Sequence, residues 1–365
     1  MLADLGADVI KVESPDGGDD TRKWGPPFVM SHDGENLSAA YYHSCNRGKR
    51  SIAIDFSQPE GAETLRKLVA TVDVLIENFK LGGLKKYGLD YESLKAINPR
   101  LVYCSITGFG QDGPYAPRAG YDFIIQAMAG MMSITGEPGR EPQKAGVAIS
   151  DLFTGLYSVI AIQAALRHAE RTGEGQHIDM ALYDSQISAL GNQNLNYLVS
   201  GKSPVQMGNA HMNIAPYEVL PVKDGHIILA VGNDGQFGKF CAVVGLADLP
   251  ANPDFATNPA RVANRARLRE TIIERLATFD RDSLLAKLEA AGVPASPINT
   301  IGQMFADPQT IARGMRLDLD DGHGNRLPSV RAPMVMSGTP LVYERSSPRL
   351  GEHTAEILAE LEKAK

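Results

Sequence analysis

Asp151 lies where a carboxylate could act as a nucleophile. Residues 147–149 are short, apolar and partly β-branched, a pattern that predicts a buried strand. Residues 152–168 are rich in Ala, Leu, Ile and Gln and contain no proline, which predicts a helix. A carboxylate at the start of a helix is held in its ionised form by the helix dipole. An ionised aspartate in such a place can form a covalent intermediate.

The same position of Asp151 also fits a purely structural role. Aspartate is a favoured N-cap residue, because its carboxylate accepts the unpaired N–H groups of the first helical turn. The small residues Thr154 and Gly155 follow closely and would let a bulky substrate approach the carboxylate. The residues alone leave the capping and the catalytic role open, and the two are compatible.

The composition limits the class of protein. The chain has 365 residues, is 43% hydrophobic and carries a net charge of −7, which argues against a nucleic-acid partner. Cys45, Cys104 and Cys241 are scattered without C-x-x-C spacing, which favours a reduced, cytoplasmic protein without disulfides or a structural metal. We find neither an 18-residue apolar run nor a signal peptide, so we expect no membrane partner.

Strand-like and helix-like segments alternate over the first part of the chain. A helix is predicted over residues 58–70, with Pro59 at its start. The alternation argues for an α/β fold with a Rossmann-like parallel sheet, whose pockets lie at the carboxyl ends of the strands. The predicted strands cover residues 8–13, 51–56, 72–77, 101–106 and 177–181.

Four side chains follow the strand predicted to end at Glu77. Asn78 and Phe79 come directly after this strand, where a ligand would bind in a parallel sheet. The same two residues would also fit an ordinary loop and an aromatic side chain of the core. Lys85 and Lys86 lie in the next segment and fit either a solvated surface or a phosphate contact. No Walker loop is present, so we expect no phosphate cradle of that kind.

The rest of the chain predicts a second domain. Tyr121-Asp122 opens a helix, where Asp122 could again be a cap, and residues 183–198 read as one further helix. An Asp224-Gly225 turn predicts a hairpin. The predicted parts are a large domain over residues 1–200, a linker over 201–216, a small α/β domain over 217–304, and a return segment of the large domain over 305–365.

Several motifs together resemble the family III CoA-transferases, the CaiB/BaiF family. The likeness covers nearly the whole chain, and the order and spacing of the motifs make it specific. The stretch Gly18 to Phe28 is similar to succinyl-CoA-dependent dicarboxylate transferases in particular. The motifs that carry the family resemblance are residues 2–13, 46–51, 76–79, Arg118-Ala119-Gly120-Tyr121-Asp122, 146–155, Thr172-Gly173-Glu174-Gly175-Gln176, 292–294 and 350–354.

The resemblance implies a covalent mechanism and a set of site residues. The catalytic residue is Asp151, which passes through a mixed anhydride to an aspartyl-CoA thioester; CoA is a substrate, and no metal or redox cofactor is needed. A backbone N–H near the helix start, at Gly155, would stabilise the oxyanion. The residues implied to bind the acyl group are Tyr41, Tyr121, Asp122 and Gly155. Those implied to bind CoA are Ile54, Asn78, Phe79, Lys86 and Tyr87.

The resemblance also implies an assembly and two points of departure. Relatives are interlocked homodimers, so we expect a homodimer. Residues 208–211 match a mobile glycine loop of some relatives, but they contain a single glycine, Gly208. Relatives carry a further strand ahead of Leu2, so we expect the sheet to lack its first strand.

Two other functions fit the same fold. An acyl-CoA racemase needs a second acid–base group opposite the first, and racemases carry a histidine where this chain has Tyr121. A phenol, with a free pKa of about 10, exchanges protons poorly near neutral pH. A non-catalytic acyl-CoA-binding protein would use Asp151 only as a cap.

Overall fold

The computed structural model describes residues 1–363 and divides into two compact units. The smaller unit comprises residues 126–147 and 190–303, and the larger unit comprises the rest. The stretches 126–147 and 190–200, which the sequence placed in the large domain, therefore group with the smaller unit. We describe the two units separately.

Twelve strands occur in residues 1–363. They are β1 (Val9–Glu13), β2 (Phe28–Met30), β3 (Asn36–Ala39), β4 (Lys49–Ala53), β5 (Val74–Glu77), β6 (Val102–Thr107), β7 (His177–Ala181), β8 (Tyr217–Val222), β9 (Gly225–Ala230), β10 (Ala295–Ser296), β11 (Arg316–Asp320) and β12 (Arg326–Val330).

The α-helices of the same residues number fifteen. They are α1 (Ala40–Asn46), α2 (Pro59–Val69), α3 (Tyr91–Lys95), α4 (Asp122–Met128), α5 (Met131–Ile134), α6 (Ile149–Thr172), α7 (Leu182–Ala189), α8 (Asn192–Ser200), α9 (Asp234–Val244), α10 (Asn258–Ala263), α11 (Arg265–Leu276), α12 (Arg281–Ala290), α13 (Ile301–Ala306), α14 (Pro308–Ala312) and α15 (Thr354–Lys363).

Parallel strands form the frame of the larger unit. β1 pairs in parallel with β4, and β5, β6 and β7 form a parallel three-stranded sheet in that order. The prediction of a parallel α/β fold is confirmed, although the parallel strands among the described residues make two hydrogen-bonded sheets rather than one. Within each sheet the carboxyl ends lie on the same edge, where the loops that follow can form a site.

Helix α6 packs one face against the parallel sheet of the larger unit. Ile162 and Ala165 on α6 pack against Val102 and Cys104 of β6. The helix is long and apolar enough to cross a membrane by length and composition. Its buried face, however, carries the polar residues Ser150, Thr154 and Ser158 and packs against β6.

The sequence prediction of a strand before Asp151 is wrong. Residues 146–148 form no regular element, and Ile149 is already the first residue of α6. A short apolar run fits a strand or a buried helix equally well, so periodicity could not decide between them. The helix predicted over residues 183–198 is also broken, because Gly191 adopts a left-handed φ of +57° between α7 and α8.

The smaller unit has a separate core. The antiparallel strands β8 and β9 form the hairpin predicted from Asp224-Gly225, with Val222 opposite Gly225. Leu220, Phe237 and Leu268 belong to a fully buried cluster beneath this sheet. Helices α9, α11 and α12 contribute Phe237, Leu268 and Leu284 to this cluster.

The C-terminal segment belongs to the larger unit. Arg50 on β4 bonds to Glu356 and Glu360 of α15, each at 2.9 Å, and the N–H of His353 donates to the carbonyl of Ser51 at 2.9 Å. These contacts tie the C-terminal segment to β4.

Candidate active site

Asp151 is a residue of the first turn of α6 and not its N-cap. The helix begins at Ile149, and its N-cap residue, Ala148, makes no side-chain capping bond. The capping role that the sequence allowed for Asp151 is therefore wrong. Its side chain reaches solvent and is available to a ligand.

The N-terminus of α6 is capped by Asp122 from another helix. Oδ1 of Asp122 accepts the N–H of Ser150 at 2.8 Å and that of Asp151 at 3.3 Å. Asp122 is the first residue of α4, so the carboxylate serves a helix that lies some distance away along the chain. Two amides of the first turn, which have no partner within the helix, are satisfied in this way.

The surroundings of Asp151 disfavour its charge. Partial burial, and after it the negative charge of Asp122, raise the pKa of Asp151 to about 6. The carboxylate is therefore mostly ionised at neutral pH, but it is more basic than an ordinary aspartate. A more basic carboxylate is a stronger nucleophile.

Tyr41 on α1 belongs to the same cluster. Burial raises the pKa of Tyr41, and the negative charges of Asp151 and Asp122 raise it further. Its hydroxyl is therefore neutral and can donate a hydrogen bond to a developing oxyanion. The ring of Trp24 packs edge-on against the ring of Tyr41 with centroids 5.1 Å apart. Tyr41, Asp122 and Asp151 therefore lie near one another in the larger unit.

Tyr121 and Gly155 lie beside these residues in the chain. The ring of Tyr121, which directly precedes Asp122, is 71% exposed. Gly155 lies one turn after Asp151, and a Cβ at that position would meet nothing within 4 Å. Gly155 lies beyond the first turn, where helix geometry directs its N–H to the carbonyl of Asp151. The predicted oxyanion contact from this N–H is therefore wrong, and the residue contributes open space instead.

A groove of about 340 Å³ opens at the carboxyl ends of β4 and β5. Four of the five residues implied to bind CoA line it. Asn78 does not line the groove, although it directly precedes Phe79. The lining residues are Ser14, Ile54, Asp55, Phe56, Ser57, Phe79, Gly83, Leu84, Lys86 and Tyr87.

Three aromatic rings and a cation give this groove its chemistry. The ring of Phe56 packs edge-on against Phe79 at 5.6 Å and against Tyr87 at 5.5 Å. The ammonium of Lys86 lies 4.6 Å from the centroid of the Tyr87 ring. Aromatic faces stack on planar bases, and an ammonium attracts phosphate, so the groove suits a nucleotide.

Sequence reasoning missed part of the groove. Asp55, Phe56 and Ser57 follow β4 directly, just as Phe79 follows β5 closely. The same strand-end rule that singled out Phe79 could have found them. Gly83 and Leu84 carried no local signal, because only the folded loop brings them to the groove.

The segment 208–211 lies in the smaller unit and is tied to it. The N–H of Gly208 donates to the carbonyl of Gly136 at 3.0 Å, and its φ of +58° requires a glycine-like conformation. Nδ1 of His211 accepts the N–H of Asn213 at 3.1 Å. The role of this segment as a lid stays a prediction.

The larger unit thus holds a carboxylate of raised pKa on the first turn of α6 and a groove lined by three aromatic rings and Lys86. The chain belongs to the CoA-transferase family III, whose sequence profile matches residues 1–354. The resemblance inferred from the sequence is thereby confirmed, and the chain is a CoA-transferase of that family.

Individual relatives agree with this assignment. The chain is 62% identical to a protein of Agrobacterium fabrum named succinate–glutarate CoA-transferase, over 99% of this chain and 90% of the relative. It is 41% identical to the human succinyl-CoA:glutarate CoA-transferase, over 99% and 81%. The crystal structure of a CaiB/BaiF family protein from Brucella suis superimposes with a TM-score of 0.87 at 62% identity, covering 99% and 93% of the two chains.

Proposed function

We propose that this chain transfers CoA from succinyl-CoA to glutarate through a covalent aspartyl-CoA intermediate on Asp151. The observation that carries the proposal is the carboxylate of Asp151, which reaches solvent on the first turn of α6 and has its pKa raised to about 6. The substrates follow from the relatives, which are named for succinate or succinyl-CoA and glutarate.

The proposed reaction is two acyl exchanges run in opposite directions. A carboxylate oxygen of Asp151 attacks the thioester carbonyl, the C–S bond breaks, and CoA leaves as the thiolate. The thiolate then attacks the side-chain carbonyl of the mixed anhydride, releasing succinate and leaving aspartyl-CoA. Glutarate repeats the two steps in reverse and leaves as glutaryl-CoA. Electrons and atoms balance without an oxidant, a reductant or water.

The surroundings of Asp151 suit this sequence. The raised pKa makes the carboxylate more nucleophilic while leaving it mostly ionised at neutral pH. The neutral hydroxyl of Tyr41 is the donor that we assign to the oxyanion of the tetrahedral intermediate. The open space at Gly155 accommodates the acyl group beside the nucleophile.

The groove at the strand ends is the proposed site of the nucleotide part of CoA. The rings of Phe56, Phe79 and Tyr87 offer apolar surface to the adenine, and Lys86 offers a cation to a phosphate. The fifth implied contact, Asn78, is assigned no part in this arrangement.

An exchange assay tests the proposal and separates it from the two alternatives. The protein is mixed with succinyl-CoA and glutarate, and thioesters are measured by mass spectrometry. We expect glutaryl-CoA and succinate in equal amounts from the wild type and none from Asp151→Asn, which folds. A protein that only binds acyl-CoA would make neither.

A racemase would be recognised by deuterium. A chiral 2-methylacyl-CoA incubated in heavy water would take up deuterium at its α-carbon only if the chain removes that proton. We expect no uptake. Uptake without CoA exchange would overturn the transferase proposal in favour of the racemase, with Tyr121 as the group to replace first.

A further inference from the structure

Asp122 holds the backbone from which Asp151 projects. Its Oδ1 accepts the N–H groups of both Ser150 and Asp151, at 2.8 and 3.3 Å. The N-cap residue of α6, Ala148, makes no side-chain cap bond. A carboxylate in the larger unit but outside this helix therefore takes the place of a local cap.

Ser150, which precedes Asp151, is also held by hydrogen bonds inside the protein. Ser150 is fully buried, and its Oγ donates to Oε1 of the buried Gln186 at 2.7 Å. Oγ1 of Thr154 donates to the carbonyl of Ser150 at 2.7 Å. The N–H, carbonyl and hydroxyl of Ser150 are thus all engaged, and Asp122, which accepts the N–H of Ser150, also accepts that of Asp151.

We propose that Asp122 is the positioning residue of the nucleophile: its carboxylate caps α6 and fixes the direction from which Asp151 attacks. The inference rests on the proposed covalent role of Asp151. Misplacing a reacting group by about 1 Å can lower the rate by a factor on the order of 10². Loss of the contact between Asp122 and the backbone of Asp151 should therefore slow the reaction strongly.

The charge of Asp122 gives the contact a second effect. The titratable groups that face Asp151 are Asp122 from α4 and Tyr41 from α1, with Cys45 beside Tyr41. Among these, Asp122 is the one whose charge opposes ionisation of Asp151. Capping and charge are therefore separable by substitution.

Two variants separate them. Asp122→Asn keeps an oxygen that can accept both N–H groups but removes the charge, and asparagine caps helices about as well as aspartate. Asp122→Ala removes both. Circular dichroism and the melting temperature show that each variant is folded, and the Asn variant serves as the rescue of the Ala variant.

The first readout is loading of Asp151 by succinyl-CoA without an acceptor. Tryptic cleavage after Lys144 and Arg167 gives the peptide 145–167, in which Asp151 is the single carboxylate. We expect Asp122→Ala to load slower than the wild type by a factor on the order of 10². Asp122→Asn should load clearly faster than Asp122→Ala at pH 7.5, since its cap is kept.

The second readout, the ionisation of Asp151, can be measured without any CoA transfer. Carbodiimide labels a protonated carboxyl group, so the pH midpoint of labelling of peptide 145–167 reports the ionisation of Asp151. We expect the midpoint to lie near the pKa of about 6 in the wild type and at lower pH in Asp122→Asn. A wild type that fails to load would overturn the proposed function, while the labelling midpoint would still decide the part played by Asp122.

Three results would overturn the inference. The first is normal loading by a folded Asp122→Ala variant. The second is loading by Asp122→Asn that is as slow as that of the Ala variant, because the charge would then take part in the chemistry itself. The third is an unchanged labelling midpoint in Asp122→Asn.

Discussion

At the residue scale, the surroundings of the Asp151 carboxylate destabilise its charged form, which makes it more reactive and lowers the stability of the fold at neutral pH. Its pKa is raised from 3.8 to about 6, first by burial and then by Asp122. Between these two values the folded protein binds more protons than the unfolded chain. The stability contributed by the protonated group is therefore fully present below about pH 4 and is lost as the pH rises through 6.

Because the stability contributed by Asp151 falls as the pH rises, Asp151→Asn should change the pH dependence of unfolding. The variant lacks the titrating group, so its melting temperature relative to the wild type should rise as the pH increases from 4 to 8. Thermal unfolding at a series of pH values measures the difference. A difference that is constant with pH, or one that falls, would show that Asp151 carries no raised pKa.

A second prediction at the same scale concerns Gly155. A mid-helix glycine costs roughly 0.5–1 kcal/mol relative to alanine, and a Cβ here meets no atom within 4 Å. Gly155→Ala should therefore stabilise the protein by about that amount while slowing transfer, because the methyl group takes up space beside Asp151. Denaturant unfolding and the exchange assay measure the two effects.

The matched control is Gly238→Ala in α9 of the smaller unit. A Cβ at Gly238 also meets nothing within 4 Å. This variant should be stabilised to a similar degree and keep full activity. Equal activity of the two alanine variants would remove the proposed role of Gly155 in making room for the acyl group.

At the element scale, local signals predicted the elements that are locally determined. β7 occupies the predicted residues 177–181, α2 begins at Pro59, and the hairpin turns at Asp224-Gly225. The strand-end rule and the family resemblance singled out Phe79 after β5, whereas of the residues after β4 only Ile54 was named, by the resemblance alone.

Contacts between distant parts of the chain could not be predicted from local sequence patterns. The segment before Asp151 was expected to be a strand, yet α6 already begins at Ile149. The decisive contact comes from Asp122, and no spacing in the sequence reveals that this carboxylate caps a helix other than its own. The cluster of Tyr41 with Asp151 likewise depends on tertiary packing and was implied by the resemblance alone.

A prediction at this scale tests the groove. Lys86 lines it, whereas Lys85, the preceding residue, lines a neighbouring cavity. Lys86→Gln should raise the KM for succinyl-CoA about tenfold, since a charged hydrogen bond contributes roughly 1.5 kcal/mol or more, and leave kcat nearly unchanged. The control Lys85→Gln should leave both constants unchanged. Equal effects of the two substitutions would show that Lys86 makes no specific phosphate contact.

At the scale of the whole molecule, we propose the homodimer that the family resemblance implies. In the larger unit, α6 exposes an apolar stripe formed by Leu152, Leu156 and Ile160. In the smaller unit, Leu198 and Val199 on α8 are more than two-thirds exposed. Apolar surface of this kind is typical of an interface, and a second copy of the chain is the occupant that we assign to it.

Light scattering tests the assembly. We expect a mass near twice the 39.3 kDa of one chain at micromolar concentration. Ile160→Lys places a charge in the stripe and should shift the population towards monomers, whereas Lys67→Glu on the surface of α2 should not. A wild type with the mass of a single chain would contradict the proposal.

The central claim is that Asp151 carries CoA, and trapping the loaded enzyme tests it most directly. Succinyl-CoA is added without an acceptor, the protein is treated with hydroxylamine, and the tryptic peptide 145–167 is examined by mass spectrometry. The account predicts release of one succinate per active site and a hydroxamate on Asp151, with neither in Asp151→Asn. Exchange of CoA by the wild type without modification of this peptide, or by a folded Asp151→Asn variant, would contradict it.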